Sequence, residues 1–323
     1  MLDPDSTPIE AEIRNPKSEI RNPARRVALN ALNPFVAQVF TRLLMLGYAI
    51  VQFRLVAGES LGGYILATIV FSYTSTISEW GLGTLAARDV ARSRDTDTEV
   101  ERAPTLFSQT LTLRLLISLA LFLPVSFFIA LYVGFFNLGL EGAWAVIILT
   151  ISLLPSSFSG SVTALFYAYE RMSIPALTGI ATSAINVGLG IAALYLGWGV
   201  IGLAIAALAT TLLTSLVFLY LLKRYFPKIG FRISDFGFRG SKSNKSEIRN
   251  PKSEIGALLS AGWPLMLNAL LVGLFFRADQ FIIQASASSF EVARYEAAYR
   301  FLNFALLITP AVTLALFPRM SKP

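Results

Sequence analysis

The stretch from Leu32 to Arg92 decides how the rest of this chain is read. It runs LNPFVAQVFTRLLMLGYAIVQF over 32–53, then RLVAGESLGGY over 54–64, then a second apolar run, and closes on EWGLGTLAARDVAR over 79–92. The first run is long enough to cross the ~30 Å hydrocarbon core of a bilayer as a helix. It carries Arg42 nine residues after Asn33, about 13 Å along at 1.5 Å per residue, and so near mid-membrane. A glycine-containing turn follows, and the second run returns the chain to the starting side with Glu79 and a basic segment.

Working outward, the composition agrees. The 323 residues are 54% hydrophobic and 15% charged, with a mean hydropathy of +0.61. Soluble domains carry about 25% charged residues, so the expected fold class is an all-α integral membrane protein. Eight apolar runs approach span length: about 33–54, 61–83, 106–133, 143–168, 175–196, 199–222, 258–284 and 295–317. Asn33-Pro34 reads as an N-cap and first-turn proline. Pro155, Pro264 and Pro310 are expected to kink or bend the fourth, seventh and eighth runs.

Charge is distributed by side. With the N-terminus inside, the inner segments hold 21 of the 27 basic residues, nine of them in the long loop from Lys223 to Ser253. This is the positive-inside pattern. It accounts for the formal net charge of +7 without nucleic acid. No cysteine or histidine is present, which removes disulfides, thiolate chemistry, Ser-His-Asp triads and imidazole-based zinc sites. No Walker A, G-x-S-x-G or zinc-ligand spacing occurs. No catalytic residue, metal site or cofactor is therefore expected, and the protein is not read as an enzyme. No signal peptide stands at the N-terminus, where five acidic residues are mixed with basic ones in the first thirty.

Two polar stretches share a unit. EIRNPKSEIRNP (Glu12 to Pro23) reappears as EIRNPKSEI (Glu247 to Ile255). A proline in every seven residues argues against a coiled coil. Both copies are expected in solvent-exposed, low-complexity sequence.

The charges inside the apolar runs are the candidate functional groups. A central arginine costs about 2.5–3.5 kcal/mol on the mildest insertion scale and marks a functional site by default. Arg42, with Gln38 one turn earlier on the same helix face, is expected to line a substrate cavity. Arg114 lies near the inner start of its run, where a long side chain can snorkel to the headgroups. Arg277 and Asp279 stand two apart and point to different faces, so each needs its own partner. Glu296 and Arg300 have i, i+4 spacing with the acid first and can neutralise each other. Glu79 closes the hydroxyl-rich stretch SYTSTISE (72–79), either as a site for a coupling cation or as a solvated helix end. Asn186, Asn268 and Asn303 read as helix–helix glue.

Several short motifs, in order, resemble those of polysaccharide (oligosaccharide) flippases of the multidrug/oligosaccharidyl-lipid/polysaccharide exporter superfamily. Arg54-Leu-Val-Ala-Gly58-Glu-Ser-Leu-Gly62-Gly-Tyr64 resembles the family's R-x-L-G-P-x-x-x-G-x-Y turn, with Ala57-Gly58-Glu59 in place of Leu-Gly-Pro. Glu79-Trp80-Gly81-Leu82 is similar to D-x-G-L, and Arg88-Asp89-Val90-Ala91-Arg92 to R-[DE]-x-A-R. Ala168-Tyr169-Glu170-Arg171 resembles A-x-E-R. Arg277-Ala278-Asp279 and the run from Glu291 to Arg300 resemble R-x-D and E-V-G-x-Y-x-A-A-x-R. Phe317 to Lys322 is similar to P-x-L-S-K.

The resemblance implies two six-helix lobes that alternate access to a central cavity. It also implies a polyprenyl-diphosphate-linked oligosaccharide moved across the cytoplasmic membrane for surface polysaccharide synthesis. On it Arg42, Gln38, Arg277 and Arg300 become substrate contacts, and Glu79 and Asp279 candidates for coupling to Na+ or H+. The partners are lipid-linked saccharide and membrane lipid. The implied divisions are a tail at 1–31, a six-helix lobe at 32–222, a basic loop at 223–256, two helices of a second lobe at 257–317 and a short end at 318–323. The family has twelve to fourteen spans. A chain of eight is therefore expected to be a C-terminally truncated frame that needs the missing second-lobe helices or a partner chain. A cation-coupled multidrug extruder and a nonfunctional fragment are the alternatives.

Overall fold

The computed structural model describes residues 23–93, 99–135, 139–227 and 251–305. Every element among them is an α-helix: α1 Pro23–Leu55, α2 Gly58–Glu79, α3 Leu82–Ser93, α4 Glu99–Phe135, α5 Leu140–Ile151, α6 Leu153–Ala168, α7 Ser173–Tyr195, α8 Gly199–Tyr225, α9 Pro251–Ser286 and α10 Ser289–Ala305. The order fits a bilayer protein, since a helix satisfies its own backbone polar groups in lipid. Six helices are long and apolar enough to span, and the bent pair α5–α6 makes a seventh. The eighth run is represented by α10, and its second half, with Pro310, lies outside the described residues. Large apolar side chains face outward along the helices, among them Leu123, Leu213, Phe275 and Ile282, as lipid contact requires. The chain is a multi-pass membrane protein.

Local chemistry explains the breaks. α5 and α6 meet at about 40° across Ser152. Pro155 supplies no backbone N–H, and its ring crowds the carbonyl four residues earlier, on Ile151, where α5 ends. α2 stops at Glu79 because Trp80 and Gly81 both adopt left-handed backbone, with φ of 49° and 69°. Gly81 takes that region freely; Trp80 does so at a cost. This stop makes α2 shorter at its end than the 61–83 run read from hydropathy, and α3 begins as a separate amphipathic helix that buries Leu82, Leu85 and Val90.

One reading of the sequence is corrected. Asn33-Pro34 does not start a helix: α1 begins at Pro23 and passes through both residues. The end of the second copy of the repeat, Pro251–Ile255, forms the first turn of α9. A proline at the first helical position loses nothing, since its N–H would have no partner there. The rest of that copy, most of the first copy, most of the long basic loop and the Phe317–Lys322 motif lie outside the described residues.

α2 is the hub. It packs on α4, α5, α6 and α8, and also meets α1, α9 and α10. One apolar core gathers Leu61, Leu66, Val146, Leu149 and Leu203 around its first half. A second core gathers Leu111, Val162, Phe166, Phe218 and Leu222 between α4, α6 and α8. Along α4 the two cores are separated by a polar layer at Arg114 and Ser118. Both ends of α2 are pinned to α9 and α10. Near its start, a side chain on Gly58 would collide with the Phe290 ring, and one on Gly62 with the Ser289 carbonyl. Near its end, Trp80 Nε1 donates to the Leu259 carbonyl at 3.1 Å, and the Trp80 carbonyl lies where a Gly262 side chain would be.

Candidate functional site

Between these two pinned ends lies a cavity of about 450 Å³, walled by α1, α2, α9 and α10. α1 contributes Arg42, Met45 and Leu46. α2 contributes Thr68, Ser72 and Thr76, which recur every four residues and so form one stripe. Tyr73 adds a ring beside them. α9 contributes Gly273, Phe276 and Arg277, and α10 contributes Glu296 and Arg300. Gly273 is needed for closeness: its added Cβ would stand 3.2 Å from the Tyr73 ring. The Tyr73 hydroxyl donates to the Gly273 carbonyl at 3.1 Å, and its ring stacks on Phe281 with centroids 6.0 Å apart.

Glu296 organises the charge. It is 3% exposed. Arg277 Nη1 donates to its Oε2 at 2.8 Å, and Gln280 Nε2 donates to the same oxygen at 2.7 Å. Arg300 Nε lies 3.0 Å from Oε1 in an ion pair without hydrogen-bond alignment. Arg277 also lies over the Tyr299 ring, 5.8 Å from its centroid. Three guanidiniums and one carboxylate on the cavity wall leave a net charge of +2. A net positive wall of this kind attracts an anion, and guanidiniums form charge-assisted hydrogen bonds to anionic oxygens.

The sequence candidates are distributed as follows. Arg42, Arg277 and Arg300 meet in this one cavity, although 258 residues separate the first from the last. Gln38 is exposed on α1 and is not on the cavity wall. Asp279 is not on the cavity wall; it accepts a hydrogen bond from the Tyr295 hydroxyl and another, at 2.8 Å, from the Gln280 backbone N–H. Arg277 and Asp279 thus have separate partners. Glu79, at the end of α2, continues the stripe of Thr68, Ser72 and Thr76 but is not itself on the cavity wall. Asn303 belongs to α10, and its side chain lies outside the described set.

Arg114 overturns its expected role. It does not snorkel: it is 6% exposed, enclosed within the bundle. Glu296 was legible only as half of a self-neutralising pair with Arg300; its contact with Arg277 across nineteen residues was not. Among the described residues no group of three or more acidic side chains gathers as a metal site.

Residues 27–323 match the family described as polysaccharide biosynthesis protein. The chain belongs to that family. No curated protein matches it by sequence. Among solved structures it is similar to an outward-facing multidrug resistance MATE family transporter of the MOP superfamily, with 20% identity and a TM-score of 0.60 over 90% of this chain and 62% of that one. It is also similar to a MOP superfamily transporter from Pyrococcus furiosus whose title notes a binding pocket of reversed polarity, with 18% identity and a TM-score of 0.59 over 90% and 62%. A chain named protein A has 15% identity and a TM-score of 0.70 over 92% and 65%. At these identities the likeness is one of fold. The polysaccharide biosynthesis family member described here spans about two thirds or less of the length of each of these structures.

Proposed function

We propose that this chain forms the substrate-holding part of a transporter that moves a polyprenyl-diphosphate-linked oligosaccharide across the cytoplasmic membrane by alternating access. The observation that carries the reading is the cavity wall with Arg42, Arg277 and Arg300 set against the single carboxylate of Glu296. A diphosphate carries two to three negative charges, and guanidiniums match its oxygens in forked pairs. The hydroxyl stripe and the Tyr73 and Phe276 rings beside it suit sugar hydroxyls and sugar faces. In this reading α1–α8 form one lobe, and α9 and α10 open a second, completed by further helices or by a partner chain. In this reading the N-terminus faces the cytoplasm, which the distribution of basic residues supports. Glu79 and Asp279 are the carboxylates available for coupling to Na+ or H+. Gln38 is an accessory contact that a shift of α1 would bring into use.

A multidrug extruder taking cationic drugs is the second reading. The net positive wall disfavours it, because a cationic ligand would meet like charge there.

The test is binding to the purified protein in detergent, with a polyprenyl diphosphate as probe and the matching polyprenol as control. The expected result is saturable binding of the diphosphate, lost in Arg42→Ala and weakened by salt. Equal binding of diphosphate and alcohol would overturn the assignment.

A further inference from the structure

Where α6 hands over to α7, beside the end of α8, stands a group of charges that the cavity does not use. α6 ends at Ala168. Beyond it the Arg171 N–H donates to the Phe166 carbonyl at 2.9 Å, and the Glu170 N–H to the Tyr167 carbonyl at 3.0 Å. This pair of bonds is a Schellman cap. It puts left-handed backbone at Glu170, with φ of 55°, where glycine is usual and a side chain is held at a cost. The turn brings Arg171 back to α8. Its guanidinium lies 5.3 Å from the centroid of the Tyr225 ring, and that of Arg224 lies 5.9 Å from the same centroid.

Two like charges are thus gathered at one ring, and the ring is held by packing. Tyr225 meets the fully buried Phe166 edge-on with centroids 6.0 Å apart. Phe226 packs on Phe166 at 5.2 Å and on Tyr169 at 4.9 Å. Attraction to a ring acts on the charge and takes none of the guanidinium N–H donors. Lys223, in the same last turn of α8, is exposed and adds a third cation. α7 starts at Ser173, and its N-cap Met172 makes no side-chain cap, so the positive end of that helix dipole adds to the field. Glu170, also exposed, is the one carboxylate of the turn between α6 and α7.

The face of α8 that leads here is apolar. Leu213, Leu216, Val217 and Tyr220 are all exposed, and their spacing puts them on one stripe. Arg224 comes four residues after Tyr220 and donates from Nη1 to its hydroxyl at 3.3 Å. From Leu213 to Arg224 is about 16 Å of helix, roughly the depth of one leaflet of a ~30 Å core. An apolar stripe of that length ending in basic groups has the outline of a phospholipid.

We propose that Arg171 and Arg224, gathered at the Tyr225 ring, bind the headgroup phosphate of an anionic phospholipid whose acyl chain lies along Leu213, Leu216 and Val217. A zwitterionic phospholipid brings its own cation to this basic corner and binds less well. The site belongs to α6–α8, apart from the cavity walled by α1, α2, α9 and α10, and does not depend on what the cavity carries.

The test measures lipid binding to the purified full chain in neutral detergent, with phosphatidylglycerol as probe and phosphatidylcholine and inorganic phosphate as controls. Phosphatidylglycerol is expected to bind saturably, more tightly than phosphatidylcholine, and to keep its affinity in millimolar phosphate. The double variant Arg171→Gln, Arg224→Gln should weaken it about tenfold, the scale of one to two charge-assisted hydrogen bonds at an exposed position. Arg54→Gln with Arg294→Gln removes the same charge elsewhere and should leave the affinity unchanged. Tyr225→Leu keeps every charge but loses the ring, and should weaken binding several-fold. Equal binding of the two lipids would overturn the proposal, as would equal loss in both double variants, which marks diffuse charge attraction. Displacement by phosphate would show a free-anion site instead. Loss in Arg42→Ala with retention in Arg171→Gln, Arg224→Gln would place the lipid in the cavity and also overturn it. Should Tyr225→Leu fail to fold, the two double variants decide alone.

Discussion

Replacing Glu296 gives the sharpest test of how the cavity is held together. Its carboxylate is buried and takes two hydrogen bonds, from Arg277 and Gln280, plus the ion pair with Arg300. Breaking a fully buried pair costs about 3–5 kcal/mol. Here both arginines are about one-third exposed, at 34% and 32%, so water recovers part of that loss. Two charge-assisted contacts at roughly 1.5 kcal/mol each, the low end of their range, give about 3 kcal/mol for Glu296→Ala. Glu296→Gln retains the shape and one acceptor oxygen, and should lose about 2 kcal/mol by the same arithmetic. At roughly 2 °C per kcal/mol for a large domain, the melting temperature in detergent should drop by about 6 °C and 4 °C. The two variants also raise the cavity charge from +2 to +3. They should therefore bind a polyprenyl diphosphate more tightly even as they melt earlier. Opposite movement of stability and affinity is the signature. Unchanged melting in Glu296→Ala, or weakened diphosphate binding in a folded Glu296→Gln, would refute the view of Glu296 as the counter-charge.

Other outcomes follow from the same geometry. Arg42→Lys keeps the charge but loses the forked donor, and should weaken diphosphate binding about tenfold, read by ligand titration. Gly62→Val places a branched side chain against the Ser289 carbonyl and should destabilise by about 2 kcal/mol or more through overpacking, read as a lower melting temperature. Tyr73→Phe removes the donor to the Gly273 carbonyl, costs about 1 kcal/mol, and leaves the ring stack on Phe281 in place. Ser118→Ala should cost a similar amount, because Ser78 and Ser157 each lose a neighbour in the buried hydroxyl cluster.

The helices were readable in the sequence because lipid selects long apolar runs, and six of the eight runs appear as uninterrupted spans with a seventh bent at the expected proline. Boundaries were less readable. Hydropathy alone continued α2 to residue 83, because Trp80, Gly81 and Leu82 are as apolar as the helix before them; backbone angle, not polarity, ends it. The cavity arginines stood out because an arginine in an apolar run has few explanations. Their convergence did not, since it depends on α1 meeting α10 across most of the chain. Arg114 was misread for a related reason. Position along a helix tells how far a side chain is from the headgroups, but which helices surround it is a tertiary fact, and α2, α3 and α6 close over it.

The pinning of α2 at its two ends has a mechanical consequence. A helix of 22 residues is about 33 Å long. α9 and α10 touch it near both tips, with glycines making each contact close. A rigid rod fastened in this way can release one tip while turning on the other. Rotation by about 17° around either tip would separate the far tip by about 10 Å, the width of a helix. Motion of this kind would make access to the space between exclusive by leverage: whichever tip served as the pivot would be the one that stays shut.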